Sequence, residues 1–183
     1  MLTIQEEKEI VQAVLNGDVQ QYARIVKSYQ QIVANLTYKI CGDKLEIDEI
    51  CQQVFVELYT SLPRFRFDSK LSTFIYSITV NVVNKALSHR SRIVTYDSAT
   101  MEDEGGGHSE EEELLKEEQR RRLRQAIGQL KGEQRTALVL YTFEDFSYQD
   151  IAEVMQVSLS KVESLIFRAK KNLKKIIENN TLK

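Results

Sequence analysis

The sequence predicts an all-α fold: two small helical domains joined by a flexible acidic linker, the C-terminal one a helix-turn-helix. Three observations carry this expectation. Apolar residues recur at steps of three and four in nearly every segment that has a hydrophobic face. No segment keeps the strict alternation of a half-buried strand, and 183 residues contain a single proline. A run of glycines and carboxylates between two such helical regions divides the chain.

The elements follow in order. Ile4, Ile10, Val11, Val14 and Leu15 form the apolar face of a first helix that ends at Gly17, and Asp18 is placed to cap the next. Tyr22, Ile25, Val26, Tyr29, Val33, Leu36 and Ile40 carry the second helix to about Ile40, where Gly42 stops it. A third helix, Ile47 to Leu62, puts Ile47, Ile50, Cys51, Val54, Phe55 and Leu58 on one face, and Pro63 cannot continue it. The fourth spans Ser72 to Arg90. From Thr95 the stretch TYDSATMEDEGGGHSEEEELL holds a glycine triplet, two acidic clusters and almost no large apolar side chain before Leu114. Such a segment cannot bury enough surface to offset its ordering entropy, so residues 93–113 are expected to be a flexible linker.

Beyond it, Leu114 to Leu130 is a helix with Leu123, Ala126, Ile127 and Leu130 inward and Arg120, Arg121, Arg122 and Arg124 outward. Gly132 closes it, and Glu133 to Tyr141 is the next. Ser147 with Asp150 is a capping arrangement for a short helix whose inner face is Tyr148, Ile151, Ala152 and Met155. After a tight turn comes a longer helix with Val162, Leu165, Ile166, Ala169, Leu173 and Ile176 as its buried stripe. That leaves Lys161, Glu163, Ser164, Phe167, Arg168, Lys170, Lys171, Lys174 and Lys175 outward. Short helix, tight turn and longer basic helix make the helix-turn-helix pattern, whose second helix enters a major groove.

Composition narrows the function. Residues are 42% hydrophobic and 28% charged, as in ordinary globular chains. The net charge of -2 divides into 0 for residues 1–90, -7 for 91–115 and +5 for 116–183. The field that matters to a nucleic acid is local, and the last segment is locally basic. The acidic segment is then either a solvated spacer or a strip that competes with DNA for that basic domain. No run reaches about 18 apolar residues, and MLTIQEEKEI is acidic where a signal peptide is basic, so no membrane insertion is expected and a cytoplasmic address is. Cys41 and Cys51 lack CxxC spacing, His89 lies among basic residues and His108 lies in the linker. With no glycine-rich phosphate loop either, neither an enzyme, a metal site nor a cofactor is expected.

The C-terminal run FSYQDIAEVMQVSLSKVESLIFRAKKNL resembles the DNA-binding domain of bacterial extracytoplasmic-function sigma factors. IDEICQQVFVELYTSLPRFRFDSKLSTFIYSITVNVVNKALSHRSR, residues 47–92, resembles that family's promoter-melting and core-polymerase-binding domain. The resemblance implies sigma region 2 over residues 1–92, a linker over 93–113 and sigma region 4 over 114–183. It implies three partners: core RNA polymerase, promoter DNA and an anti-sigma factor clamping the two domains.

Residue by residue, the resemblance assigns Asp48, Glu49, Gln52, Gln53 and Glu57 to docking on core polymerase, although periodicity alone makes them the polar face of the third helix. It assigns capture of an unstacked minus-10 base to Phe65, Phe67, Asp68, Ser69 and Lys70 in the loop, with Asn81 and Asn84 on the following helix. Arg64, Arg66, Lys70, Lys85, Arg90 and Arg92 are placed to hold phosphates. Phe74 stands where many members have tryptophan, and serves either that site or the core.

The minus-35 element falls to Ser160, Lys161, Glu163, Ser164 and Phe167, with Arg168, Lys170 and Lys171 on phosphates. Glu163 and Leu165 depart from the basic residues many members carry there. Glu163 either accepts a hydrogen bond from a cytosine amino group or closes a capping box with Ser160. The alternative readings are a helix-turn-helix regulator that binds duplex DNA without polymerase, and a sigma-like decoy that binds a regulator.

Overall fold

In the computed structural model, residues 2–42, 47–93 and 111–181 are described, and among them every regular element is helical. Helix α1 (Ile4–Leu15) begins with a full capping box: the Thr3 hydroxyl accepts the Glu6 N–H at 3.2 Å, and the Glu6 carboxylate accepts the Thr3 N–H at 2.7 Å. Past its end, Gly17 takes φ +100°, a conformation only glycine adopts without strain.

The expected cap at Asp18 does not form. A 3-10 turn, Val19–Gln21, separates it from α2 (Tyr22–Cys41), so its carboxylate is too early to reach the first free amides of α2 and accepts from the Gln21 side chain at 3.4 Å instead. Gly42 does stop α2, with φ +69° and its N–H on the Tyr38 carbonyl at 2.8 Å. Helix α3 (Ile47–Ser61) passes into a 3-10 turn, Leu62–Arg64, that takes Pro63 near its start, and a loop leads to α4 (Leu71–Ile93). Most of the expected linker, residues 94–110, lies outside the described residues, as do 43–46. The second half holds α5 (Glu111–Gly128), α6 (Gly132–Phe143), α7 (Tyr148–Met155) and α8 (Leu159–Thr181).

Three residues expected inside are on the surface: Ile4, Leu15 and Leu123. Ile4 and Leu15 sit at the two ends of α1, beyond its packed middle of Ile10, Val11 and Val14. Leu123 is outward because α5, which touches α2 and α8, buries only Ala126 and Ile127 among its described side chains.

The core joins the two halves. One continuous apolar cluster includes Val11, Ile25, Leu36, Val54 and Leu58 of the first half and Leu140, Ile151, Val154, Val162 and Ile166 of the second. Helix α4 is the seam. It packs on α2 and α3 on one side and on α6 and α7 on the other, which buries Ile75, Ile78, Val80, Val82 and Val83 around most of its circumference. Polar contacts cross the same seam. The Glu144 carboxylate, at the end of α6, takes Lys39 Nζ at 2.6 Å and the Tyr76 hydroxyl at 2.6 Å. The Tyr76 and Phe146 rings lie 4.8 Å apart.

Candidate nucleic-acid interface

Helix α3 presents its polar face because its apolar face is anchored: Ile50, Val54 and Leu58 are buried, while Asp48, Glu49, Gln52 and Gln53 are exposed and Glu57 is half-buried. Asp48 and Glu49 stand in the first turn, where carboxylates complement the helix dipole. Val56 is 52% exposed on the same helix, an apolar side chain that alternation of faces does not call for.

The loop from Phe65 to Lys70 is built on an aromatic stack. Phe65 is buried, with the Phe67 ring at 4.7 Å and the Phe74 ring stacked at 5.1 Å. Phe74 is therefore part of the support, packed against the main cluster. Phe67 is half-buried and holds φ +60°, a left-handed conformation costly for a bulky side chain and characteristic of functional loops. Arg64, Arg66, Asp68 and Lys70 are exposed and Ser69 is half-buried. A cavity of about 280 Å³ opens here, lined by Phe65, Phe67, Asp68, Ser69 and Lys70. Across it stand Ile4, Glu7 and Lys8 of α1, which the sequence reading passed over as ordinary positions of an amphipathic helix.

Asn81, Asn84 and Lys85 lie elsewhere. They are ten or more residues along α4 from Leu71, roughly 15 Å at the helical rise, and none lines that cavity. Asn81 and Lys85 are exposed. Asn84 is half-buried, and its Oδ1 accepts the Thr136 hydroxyl of α6 at 2.9 Å. The side chains of Arg90 and Arg92 lie outside the described residues.

In the second half, α7 starts at a capping box formed by Ser147 and Asp150, and these bonds hold the Asp150 carboxyl below its ordinary range. Gln156 makes the turn in the left-handed conformation at φ +54° and sends its N–H back to Ala152 and Glu153. The cap of α8 is Ser158: its hydroxyl accepts the Lys161 N–H at 3.3 Å. Ser160 already lies inside the first turn, 3.2 Å from the Ser158 hydroxyl, so the capping box expected between Ser160 and Glu163 is displaced by a single cap that starts two residues earlier. Ser160, Lys161, Glu163, Ser164, Phe167, Arg168, Lys170 and Lys171 are all exposed, above the buried Val162, Leu165, Ile166 and Ala169. Lys161 pairs with Glu133 at 2.8 Å, and the Lys170 ammonium stands 4.7 Å over the Tyr141 ring.

Two family models match the chain: sigma-70 region 2 over residues 25–93 and sigma-70, region 4, over residues 120–173. The RNA polymerase sigma-H factor of Pseudomonas aeruginosa is 34% identical over 187 aligned positions, 97% of each chain. The ECF RNA polymerase sigma-E factor of Haemophilus influenzae is 30% identical, covering 94% of this chain and 95% of that one. Its Escherichia coli K12 counterpart is 30% identical over 90% of each. Among solved structures, CnrH in complex with the cytosolic domain of CnrY superposes with a TM-score of 0.63 at 17% identity, covering 95% of this chain and 98% of that one. RpoE in complex with the anti-sigma factor NepR, from Bartonella quintana, gives 0.62 at 16%, covering 87% and 98%. Both share the fold. With its two halves matched in order and relatives similar almost end to end, the chain belongs to the bacterial RNA polymerase sigma factors of the extracytoplasmic-function type.

Proposed function

We propose that this sigma factor docks on core polymerase through the polar face of α3, captures an unstacked minus-10 base in the Phe65–Lys70 loop and reads the minus-35 element with the outer face of α8. The observation that carries the reading is the cavity beside Phe67, lined by Asp68, Ser69 and Lys70 and backed by stacked aromatic rings. An extruded base needs such a stacking surface ringed by polar groups. On α8, Ser160, Lys161, Glu163, Ser164 and Phe167 stand toward the base edges, with Arg168, Lys170 and Lys171 toward phosphates. Asn81, Asn84 and Lys85 would meet the strand farther along α4.

In this reading residues 1–92 work as region 2 and residues 114–183 as region 4, connected by the acidic residues 93–113. The protein performs no bond chemistry of its own; it uses binding energy to trap melted promoter DNA for the polymerase in the cytoplasm. An anti-sigma partner is part of the proposal, since the superposing RpoE is complexed with one. A helix-turn-helix regulator acting without polymerase is the weaker reading, because the likeness to sigma factors runs through residues 25–93 as well.

Reconstitution with purified core polymerase on genomic fragments tests this. Specific transcripts are expected, lost on charge reversal at Glu49 combined with Gln53→Ala in a protein that still melts cooperatively. No specific transcript on any fragment would overturn it.

A further inference from the structure

We propose that α1 is a second element for single-stranded DNA, holding the nucleotide adjacent to the one captured by the loop; this rests on the base-capture reading above. The ground is a pair of adjoining cavities that share a wall. The first, of about 280 Å³, lies between Lys8 of α1 and Phe67, Asp68 and Lys70 of the loop. The second, a shallow and largely open hollow of about 350 Å³, is lined by Lys8, Glu9, Gln12 and Phe67. Phe67 and Lys8 belong to both, with the ammonium 6.0 Å from the ring centroid.

The partition is held in place from several directions. Phe67 sits at φ +60°, which persists only where the surroundings over-determine it, and the Phe65 ring at 4.7 Å supports it. Helix α1 is fixed by the Thr3–Glu6 capping box, by buried Ile10 and Val11, and by the Tyr29 hydroxyl donating to the Glu7 carboxylate. Two adjoining hollows that share an aromatic ring and an ammonium fit two successive unstacked bases, one in each. Stacked duplex bases leave no gap for such a ring, so the ligand is a single strand.

The polar groups of the second recess say which base. Gln12 presents an amide, its nitrogen 3.4 Å from Asn16 Oδ1, and Glu9 presents a carboxylate whose Oε1 accepts from Gln5 at 2.8 Å. A carboxylate and an amide oxygen accept from the exocyclic amino group of adenine, cytosine or guanine, which thymine lacks. The carboxylates of Glu7 and Glu9 repel phosphate, so the backbone passes on the side of Lys8 and Lys70. Helix α1 precedes the residues 25–93 that match the region 2 model.

The test is selection from randomised single-stranded DNA by the full chain assembled with core polymerase, comparing wild type, Gln12→Ala, Lys8→Met and Asp68→Ala. Gln12 and Lys8 are exposed, and circular dichroism is to check that each variant keeps its helices. Wild type is expected to enrich two adjacent positions. Gln12→Ala should erase the discrimination against thymine at one of them and Asp68→Ala the preference at the other, while Lys8→Met weakens binding of the winning oligonucleotide roughly fivefold or more. If Asp68→Ala erases one position while Gln12→Ala and Lys8→Met leave every enrichment and affinity within about twofold, the role of α1 is refuted and base capture stands. If no position is enriched by any protein, base capture itself fails and the role of α1 with it.

Discussion

The Ser158 hydroxyl takes the Lys161 N–H at 3.3 Å, which leaves Glu163 with no part in closing the first turn of α8 and its side chain exposed on the outer face of that helix. The two residues should therefore separate in experiment. Glu163→Ala is expected to relax preference at one base pair by roughly 1–3 kcal/mol in competition binding, with an unchanged melting temperature. Ser158→Ala should lower stability by about 1 kcal/mol and weaken all promoters alike. Arg135 is the other residue with a role out of proportion to its place in the sequence. Its guanidinium donates to the Ile40 carbonyl at 3.1 Å, the Leu130 carbonyl at 3.0 Å and the Gly128 carbonyl, so one cation serves the C-terminal ends of α2 and α5. Burial pulls its pKa below the ordinary arginine value. Arg135→Met would strip donors from three carbonyls, and chemical denaturation should register a loss of about 2–3 kcal/mol.

At the level of single elements, α7 is short enough to depend on its cap. Eight residues form it, and nucleation of so short a helix is unfavourable without tertiary and capping support. The Ser147 hydroxyl and N–H both donate to the Asp150 carboxylate and hold its folded pKa below the ordinary 3.8. A depressed carboxylate pKa adds stability that is complete above the unfolded value and disappears as pH falls through the folded one. Ser147→Ala should thus cost about 1 kcal/mol at neutral pH, and the gap between variant and wild type should narrow as an acid titration passes below 3.8, leaving the share due to the hydroxyl that accepts the Asp150 N–H. Helix α4 depends on packing instead. Its buried Ile75, Ile78, Val80, Val82 and Val83 need cover on more than one side, and α6 and α7 supply the second side.

Across the whole molecule, that cover has a consequence for DNA. Asn84, expected to present its amide to the promoter strand, accepts the Thr136 hydroxyl on its Oδ1 where the halves pack together. That bond and its half-burial turn the Asn84 amide toward α6, so strand binding through Asn84 competes with closure. Thr136 is fully buried, and Thr136→Val keeps its shape while removing the donor. The closed arrangement should lose about 1 kcal/mol, and single-stranded minus-10 DNA should bind up to about fivefold tighter by fluorescence anisotropy. Glu144→Ala, which releases both Lys39 and Tyr76, should lower the melting temperature and widen the distance between probes placed on α3 and α8.

Periodicity by itself determined the helices, their order and most of their inner faces, because a helix buries one stripe and the stripe is written at steps of three and four, as in Tyr22 to Ile40 and Val162 to Ile176. Local chemistry determined the stops at Gly17 and Gly42 and the box at Ser147, since each involves residues within one turn. Resemblance in two separate runs determined the family. What the tertiary structure alone decided depends on residues far apart in the chain. Lys8 and Gln12 meet Phe67 about 60 positions later, and nothing in an amphipathic first helix marks its polar face as the wall of a cavity. Asn84 meets Thr136 and Glu144 meets Tyr76 only because α4 is packed from both sides. That seam had one signal, the apolar residues of α4 on several faces from Ile75 to Val83, and a helix apolar all round belongs inside. Even the cap of α8 turned on two residues, because Ser158 and Ser160 are equally good caps in sequence and only the backbone path out of Gln156 chooses between them.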